Sequence, residues 1–269
     1  IFFTKMRSAR RTVPLCEPRG SVLMYLKTDG LVLRQVNYQD NDQILTVLTK
    51  DHGLMTLKAR GVRSRASRLK GACQLLTYSE FTIFENRGFH TVDEAAPIEM
   101  FTGIRTDIEL LALASYFAQA AELLSQEDMP SPELLSLTLN ALYALSRRRG
   151  EPRLVKAAFE LRAACLSGYT PELSGCAVCG APSPERFDVR GGILCCTSCS
   201  AGEGLRLPLS AGALAAMRYI VSCDPKRVFS FRLEGRAVKE LCDIAETYLQ
   251  TQLERGFYTL DFYKSLLNE

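Results

Sequence analysis

From Tyr25 onward the chain shows short runs of alternating apolar and polar residues separated by turn formers. A period of two puts every second side chain on one face, which is the signature of half-buried strands. Leu26 to Val36, Gln43 to Thr49, Leu54 to Ala59, Gln74 to Glu85 and Phe89 to Ala95 fit that pattern. Gly30 is a candidate bulge, and Asp51-His52-Gly53 and Asn86-Arg87-Gly88 join neighbouring runs at hairpin distance. Five strands in about 75 residues predict a small β-barrel, because closure removes exposed strand edges. Alternation alone does not separate an OB-type barrel from other small barrels.

After Pro97 the period lengthens to about 3.6. Ile104, Ile108, Leu111, Ala114, Phe117, Ala121 and Leu124 recur at three- and four-residue steps. They predict a helix over Gly103 to Gln126 with one apolar face. Ser131-Pro132-Glu133 offers an N-cap with Pro at the first helical position, opening a second helix that runs through Leu145. A third runs from Pro152 to Leu166 and stops at Gly168. Ser210 to Val221 and Gly235 to Leu253 again have helical spacing, and Tyr258 to Leu267 reads as a short helix or an extended tail. Strands followed by helices predict an α+β multidomain protein.

A chain of 269 residues accommodates two domains. The pattern divides it into an N-terminal barrel over 24–100 and a helical domain over 101–269, with a cysteine-rich insertion at about 173–201. Ile1 to Leu23 is basic and patternless, with Pro14 and Pro18, and Met24 reads as the natural start. The first 23 residues are therefore set aside as an extension. Hydrophobic residues at 47% and charged residues at 23% exclude a disordered, collagen-like or coiled-coil chain. The 33 Lys and Arg against 30 Asp and Glu leave only +3, so an acidic partner has to be met by a local patch. No apolar run approaches the roughly 18 residues of a membrane span, and the N-terminus lacks a signal-peptide core, so a soluble cytoplasmic protein without a membrane partner is expected. Two histidines and no G-x4-G-K-[ST] phosphate loop lower the odds of enzymatic chemistry.

Ten cysteines are unevenly placed, with half of them between Cys176 and Cys199. Cys176-Ala-Val-Cys179 and Cys196-Thr-Ser-Cys199 are two C-x2-C pairs at the spacing of a Zn(Cys)4 site. Each tight turn aims two sulfurs at one ion, and Gly180 frees the backbone so that amides can face the thiolates. Phe187 to Arg190, Gly191-Gly192 and Ile193-Leu194 read as a hairpin that returns the second pair to the first. Four thiolates leave no open position, so one structural Zn2+ per chain is expected. Cys195 beside Cys196 makes a Cys195/Cys199 pairing an alternative, with Cys196 favoured. Paired disulfides or buried thiols are the plainer reading of the cluster. Cys16, Cys73, Cys165, Cys223 and Cys242 are isolated and read as small buried hydrophobes.

Between His52 and Ser79 there is no acid, while Lys58, Arg60, Arg63, Arg65, Arg68 and Lys70 crowd one stretch, most of them bracketed by Gly61 and Gly71. Such a one-sided segment, read as a strand end running into a flexible cationic loop, repels itself unless an anion lies against it. A nucleic-acid backbone is the expected partner, although most charge runs are simply solvated loops. Arg34 is a weaker candidate for the same groove. Tyr38, Tyr78, Phe81 and Phe84 fall on the strands, either as base-stacking platforms or, more commonly, as core.

These residues together resemble the RecO family of bacterial recombination mediators. The resemblance is carried by Lys27-Thr-Asp-Gly-Leu-Val-Leu-Arg34, Asp42-Gln-Ile-Leu-Thr46, His52-Gly53, Lys58-Ala-Arg-Gly-Val-Arg63 and Ser67-Arg-Leu-Lys-Gly71. It continues through Gly103-Ile-Arg-Thr-Asp107, Ala158-Phe-Glu-Leu-Arg162 and Gly168-Tyr-Thr-Pro-Glu-Leu173 into the cysteine pairs. It implies an N-terminal OB fold, a helical domain and a zinc finger. It also implies a non-catalytic, nucleoid-associated role: binding single- and double-stranded DNA, annealing complementary strands, and acting with RecR to help RecA replace single-strand-binding protein. The extra cysteine departs from the family's Gly-Gly-x-Leu-Cys by one position. A zinc-ribbon, OB-containing RNA-binding or translation-associated protein is the rival reading.

Overall fold

The computed structural model describes residues 24–86, 88–199 and 204–267, so the expectation for the first 23 residues lies outside it. The described chain forms two compact units, one of 24–100 with 125–132 and one of 101–124 with the residues from 133 onward.

In the first unit, β1 (Met24–Tyr38), β2 (Asp42–Thr49), β3 (Leu54–Ala59), β4 (Tyr78–Asn86) and β5 (Phe89–Glu99) close into a barrel in the order β1-β2-β3-β5-β4. Every pairing is antiparallel except β3 with β5, where Leu57 faces His90 and Lys58 faces Thr91. This is an OB-like barrel. Its interior is filled by Val32, Leu45, Val47, Met55, Leu57, Phe81, Ile83 and Val92, the inward half of the alternation. The bulge in β1 falls between Val32 and Arg34, not at Gly30. Gly30 instead meets a close approach, since a Cβ there would stand 2.5 Å from Val47 Cγ1. Gly53 has a comparable task. It takes φ +66°, and a Cβ on it would lie 2.6 Å from the carbonyl oxygens of Gln126 and Met129, in the 125–132 segment that packs on the barrel. Leu54 N–H donates to Gln126 O at 3.0 Å across the same contact.

The second unit holds α1 (Ile108–Leu124), α2 (Pro132–Ser146), α3 (Pro152–Leu166), α4 (Ala211–Ser222), α5 (Arg236–Leu253) and α6 (Tyr258–Leu266). The first of these starts later than its apolar spacing suggests. Thr102–Ile104 forms a 3₁₀ turn, and Asp107 Oδ1 accepts from the N–H groups of Glu109 and Leu110 at 3.1 and 3.2 Å, which fixes the helix start. Its packing is also not confined to one stripe. Leu113, Tyr116, Phe117, Ala118 and Ala120 are all buried, while Ile108 is exposed. Phe117 stacks on Phe159 of α3 at 4.3 Å, and Tyr116 meets Phe257 edge-on at 5.2 Å. The C-terminal stretch is a helix, resolving the choice between helix and tail.

Between α3 and α4 a small sheet takes the order β6-β8-β7-β9, formed by Glu172–Cys176, Ile193–Cys195, Arg186–Asp188 and Arg206–Pro208. The expected hairpin is present: Phe187 pairs with Leu194 and Asp188 with Ile193.

Candidate metal centre and nucleic-acid interface

Cys176 ends β6, Cys179 follows within the same turn, and Cys196 and Cys199 occupy the turn after β8. The four Sγ atoms lie within 4.8 Å of one another. Cys179 Sγ and Cys196 Sγ are 3.7 Å apart. Backbone N–H groups of Cys179 and Val178 point at the Cys176 sulfur and hold its thiol down to about 6. Gly180, at φ +74°, allows the turn that aims them, and its N–H donates to Cys176 O at 2.9 Å. Cys196 is pushed up to about 12, first by its hydrogen bond to Cys179 and then by burial and the charge on Cys176. Crowded thiols with one already disposed to ionise are the donor set of a soft cation, which relieves their mutual repulsion. The residues therefore fit a tetrahedral thiolate-bound metal. Cys195, the last residue of β8, is fully buried and outside the quartet. Cys73 is buried, Cys165, Cys223 and Cys242 are half-buried, and Cys16 lies outside the described residues.

A residue that sequence reasoning passed over holds this ribbon. Arg218 of α4 donates from Nε to Leu173 O at 2.8 Å and from Nη2 to Ser174 O and Pro182 O at 3.0 and 3.1 Å. Gln252 of α5 reaches Val189 O and Arg190 O, and Phe187 sits edge-on against Tyr248 at 5.4 Å. No local signal marks Arg218, because its partners are carbonyl groups of a distant segment.

The cationic stretch follows β3. Lys58 is not available in full: its Nζ pairs with Asp42 at 3.0 Å and lies 4.8 Å over the Tyr38 ring. Asp42 also accepts from Gly61 N–H at 2.8 Å, and the two contacts, Gly61 first, hold its carboxyl below the usual range. Arg63 donates to Asp40 O at 3.1 Å. Arg60, Arg63, Arg65, Arg68 and Lys70 are exposed, and none forms an ion pair with a described carboxylate. The expected flexible loop is instead pinned from beneath. Val62, Ala72 and Cys73 are buried in the barrel core, Leu69 packs against it, Gln35 Nε2 donates to Cys73 O, and Ser79 Oγ donates to Ala72 O at 2.8 Å. Tight turns over this segment delay the fourth strand to Tyr78 rather than Gln74. Arg34 is exposed on β1, opposite Thr46. Of the strand aromatics, Tyr78 and Phe81 are core, whereas Tyr38 is exposed and Phe84 packs on Tyr25 at 5.4 Å.

Both units carry a recognisable sequence profile. The family described as Recombination protein O N terminal matches residues 24–101, and Recombination protein O C terminal matches residues 105–261. The chain belongs to the RecO family. DNA repair protein RecO of Acetivibrio thermocellus is 35% identical over 245 residues, which is 90% of this chain and 97% of that relative. DNA repair protein RecO of Symbiobacterium thermophilum is 32% identical over 88% of this chain and 96% of its own. That of Anaeromyxobacter sp. strain K is 36% identical over 86% and 92%. The RecO N-terminal match covers the whole barrel including the basic loop, and the C-terminal match spans the cysteine ribbon. Among the described residues no helix is long and apolar enough to cross a membrane.

Proposed function

We propose that this RecO-family chain is a non-catalytic DNA-binding recombination mediator. It binds single- and double-stranded DNA, anneals complementary strands and, with RecR, helps load RecA onto DNA covered by single-strand-binding protein, at the nucleoid in the cytoplasm. The observation that carries the reading is the row of exposed cations from Arg60 to Lys70, without carboxylate partners among the described residues, held rigidly on an OB-like barrel. A preformed cationic ridge attracts any phosphate backbone and loses little entropy on binding. Phosphate contacts position the strand and carry no base information. The relatives' printed name, DNA repair protein, agrees with that chemistry.

The four-cysteine cluster supports one structural Zn2+ per chain held by Cys176, Cys179, Cys196 and Cys199. A closed thiolate sphere contributes folding free energy to the ribbon and leaves no site for a reacting water.

The test is direct. Arg63, Arg65, Arg68 and Lys70 replaced together by Ala should weaken binding of unrelated oligonucleotides to a similar extent and flatten the slope of log K against log salt by about 0.7 per lost phosphate contact on a single strand. Because all four side chains are exposed, the melting temperature should hold. Unchanged affinity in the folded variant rejects the ridge as the DNA contact.

A further inference from the structure

The four sulfurs of the cysteine cluster are unequally covered, which holding a cation does not require. Cys176 is buried, Cys196 and Cys199 are half-buried, and Cys179 is exposed. Cys179 Sγ lies 3.7 Å from Cys196 Sγ on the opposite turn. The protein builds both turns from its own hydrogen bonds. Cys176 N–H donates to Ala181 O at 2.8 Å and Gly180 N–H to Cys176 O at 2.9 Å, while Cys199 N–H donates to Cys196 O at 3.2 Å. Glu185 accepts from the N–H and the hydroxyl of Thr197 at 3.2 and 2.9 Å, which steadies the second turn. An accessible thiolate with a second sulfur already opposite is the arrangement in which oxidation stops at a disulfide. The neighbour captures the first oxidised sulfur before it climbs to sulfinic acid. Attachment of the ribbon to the helices uses no sulfur at all. Arg218 holds carbonyl oxygens of Leu173, Ser174 and Pro182, and Gln252 those of Val189 and Arg190. The cysteine turns can therefore change covalently while the ribbon keeps its place on α4 and α5.

We infer that Cys179 and Cys196 form a reversible oxidation site, at which a peroxide closes a disulfide across the two turns and the chain gives up its metal ion. The inference rests on the metal-binding reading above and adds a covalent modification to it. The Cys179 thiolate attacks a peroxide oxygen, the O–O bond breaks and hydroxide leaves, so that Cys179 becomes a sulfenic acid. The Cys196 thiolate then attacks the Cys179 sulfur, the S–S bond forms, the S–O bond breaks and a second hydroxide leaves. Two thiolates have lost two electrons, and hydrogen peroxide has been reduced to two hydroxide ions. One sulfur is withdrawn from each turn, so Cys176 and Cys199 remain as two donors where a closed tetrahedral site needs four. A dithiol reverses the change by thiol–disulfide exchange and returns all four donors. Cys195, buried outside the cluster, takes no part.

The experiment treats the full chain, reduced and loaded with zinc, with hydrogen peroxide. A chromogenic chelator follows released zinc, and mass spectrometry of peptides, after free thiols are blocked, maps the bridge. About one zinc per chain should leave, in step with the peptide that joins Cys179 to Cys196. Dithiothreitol followed by zinc should restore both the thiols and the melting temperature. Cys179→His keeps a fourth donor and cannot form the bridge, so it should retain its zinc under peroxide that strips the wild-type chain. Cys195→Ser should release zinc as the wild type does. Zinc retained while other residues oxidise overturns the site. Zinc lost with bridges only inside each turn, with bridges to Cys195 or with sulfinic acid alone overturns it as well, as does equal loss from Cys179→His. If that variant fails to take up zinc, the wild-type peptide map decides alone. A reduced wild-type chain that takes up no zinc removes the metal reading, and the same peptide map still decides the bridge.

Discussion

At the scale of single residues, the most exacting position in the helical unit is Lys156. It is almost fully buried in α3, with Nζ 2.8 Å from Glu160 and 2.7 Å from Glu246, and Lys264 closes the cluster on Glu246 at 2.6 Å. Tyr116 donates to Glu160 Oε1 at 2.8 Å, while among the described residues Glu160 Oε2 has no hydrogen-bond partner. Burial raises the Glu160 carboxyl above its usual range even with Lys156 beside it. Burial acts the same way on Glu246, but Lys156 and Lys264 outweigh it and hold that carboxyl low. Removing the lysine charge with Lys156→Met should therefore cost about 3–5 kcal/mol at neutral pH, because a buried carboxylate loses its partner. The pH dependence follows from the direction of the Glu160 shift. A carboxyl raised in the folded state contributes stability that is fully present below its unfolded value of about 4.3 and lost as pH rises through the folded value. The deficit of the variant should thus shrink as pH falls from about 7.5 toward 5, where Glu160 can take up a proton. Glu246 runs the other way, but Lys264 still holds it in the variant. Urea unfolding of both proteins at the two pH values measures the difference, and an equal deficit at both contradicts this account.

At the scale of elements, the alternation marked all five strands of the barrel and the longer period the first five helices, leaving the sixth open between helix and tail, because both record which face is buried. What it could not mark were boundaries set by single distant contacts. Gly30 serves the close approach of Val47 while the bulge falls at Leu33, and the late start of α1 depends on an Asp107 carboxylate that also binds Arg148 at 2.9 Å. Rigidity of the basic loop depends on Val62 and Cys73 reaching the barrel core, which spacing along the chain does not record. The cysteine ribbon was legible almost entirely, since metal spacing is a local property, and only the choice between Cys195 and Cys196 needed three dimensions. The structure places Cys196, at the start of the turn, in the sulfur cluster, while Cys195 ends β8 fully buried outside it. That yields a paired prediction. Cys176→Ser should lose the bound zinc and lower the melting temperature by several degrees or more, because metal binding and folding of this segment are coupled. Cys195→Ser should retain close to one zinc per chain and lose stability only through burial of a hydroxyl. Metal analysis beside thermal melting reads both, and loss of zinc from the Cys195 variant would reassign the ligand.

At the scale of the whole molecule, a net charge of +3 spread over 269 residues gives almost no long-range attraction for nucleic acid. Whatever the chain does with DNA must come from local concentration of charge. Arg63, Arg65, Arg68 and Lys70 place four exposed cations on one short, pinned segment, and four neutralised phosphates imply a slope of log K on log salt near −2.8 for a single strand. A fourfold rise in salt should then weaken binding about fiftyfold. Annealing has a stricter requirement than binding, because two negative strands must be held together until base pairs form, and after that pairing supplies the driving force. Screening by the cationic ridge lowers the barrier to that encounter without any covalent step, and the sequence carries no phosphate-loop motif for nucleotide hydrolysis. The chain should therefore accelerate annealing of complementary oligonucleotides in the absence of ATP. The acceleration should fall as salt rises, in parallel with binding, and should be reduced in the variant lacking the four cations. Strands coated with single-strand-binding protein should still anneal. Fluorescence quenching between labelled complementary strands follows the rate, and a rate equal to the buffer control at low salt, or one that requires ATP, overturns the mediator reading.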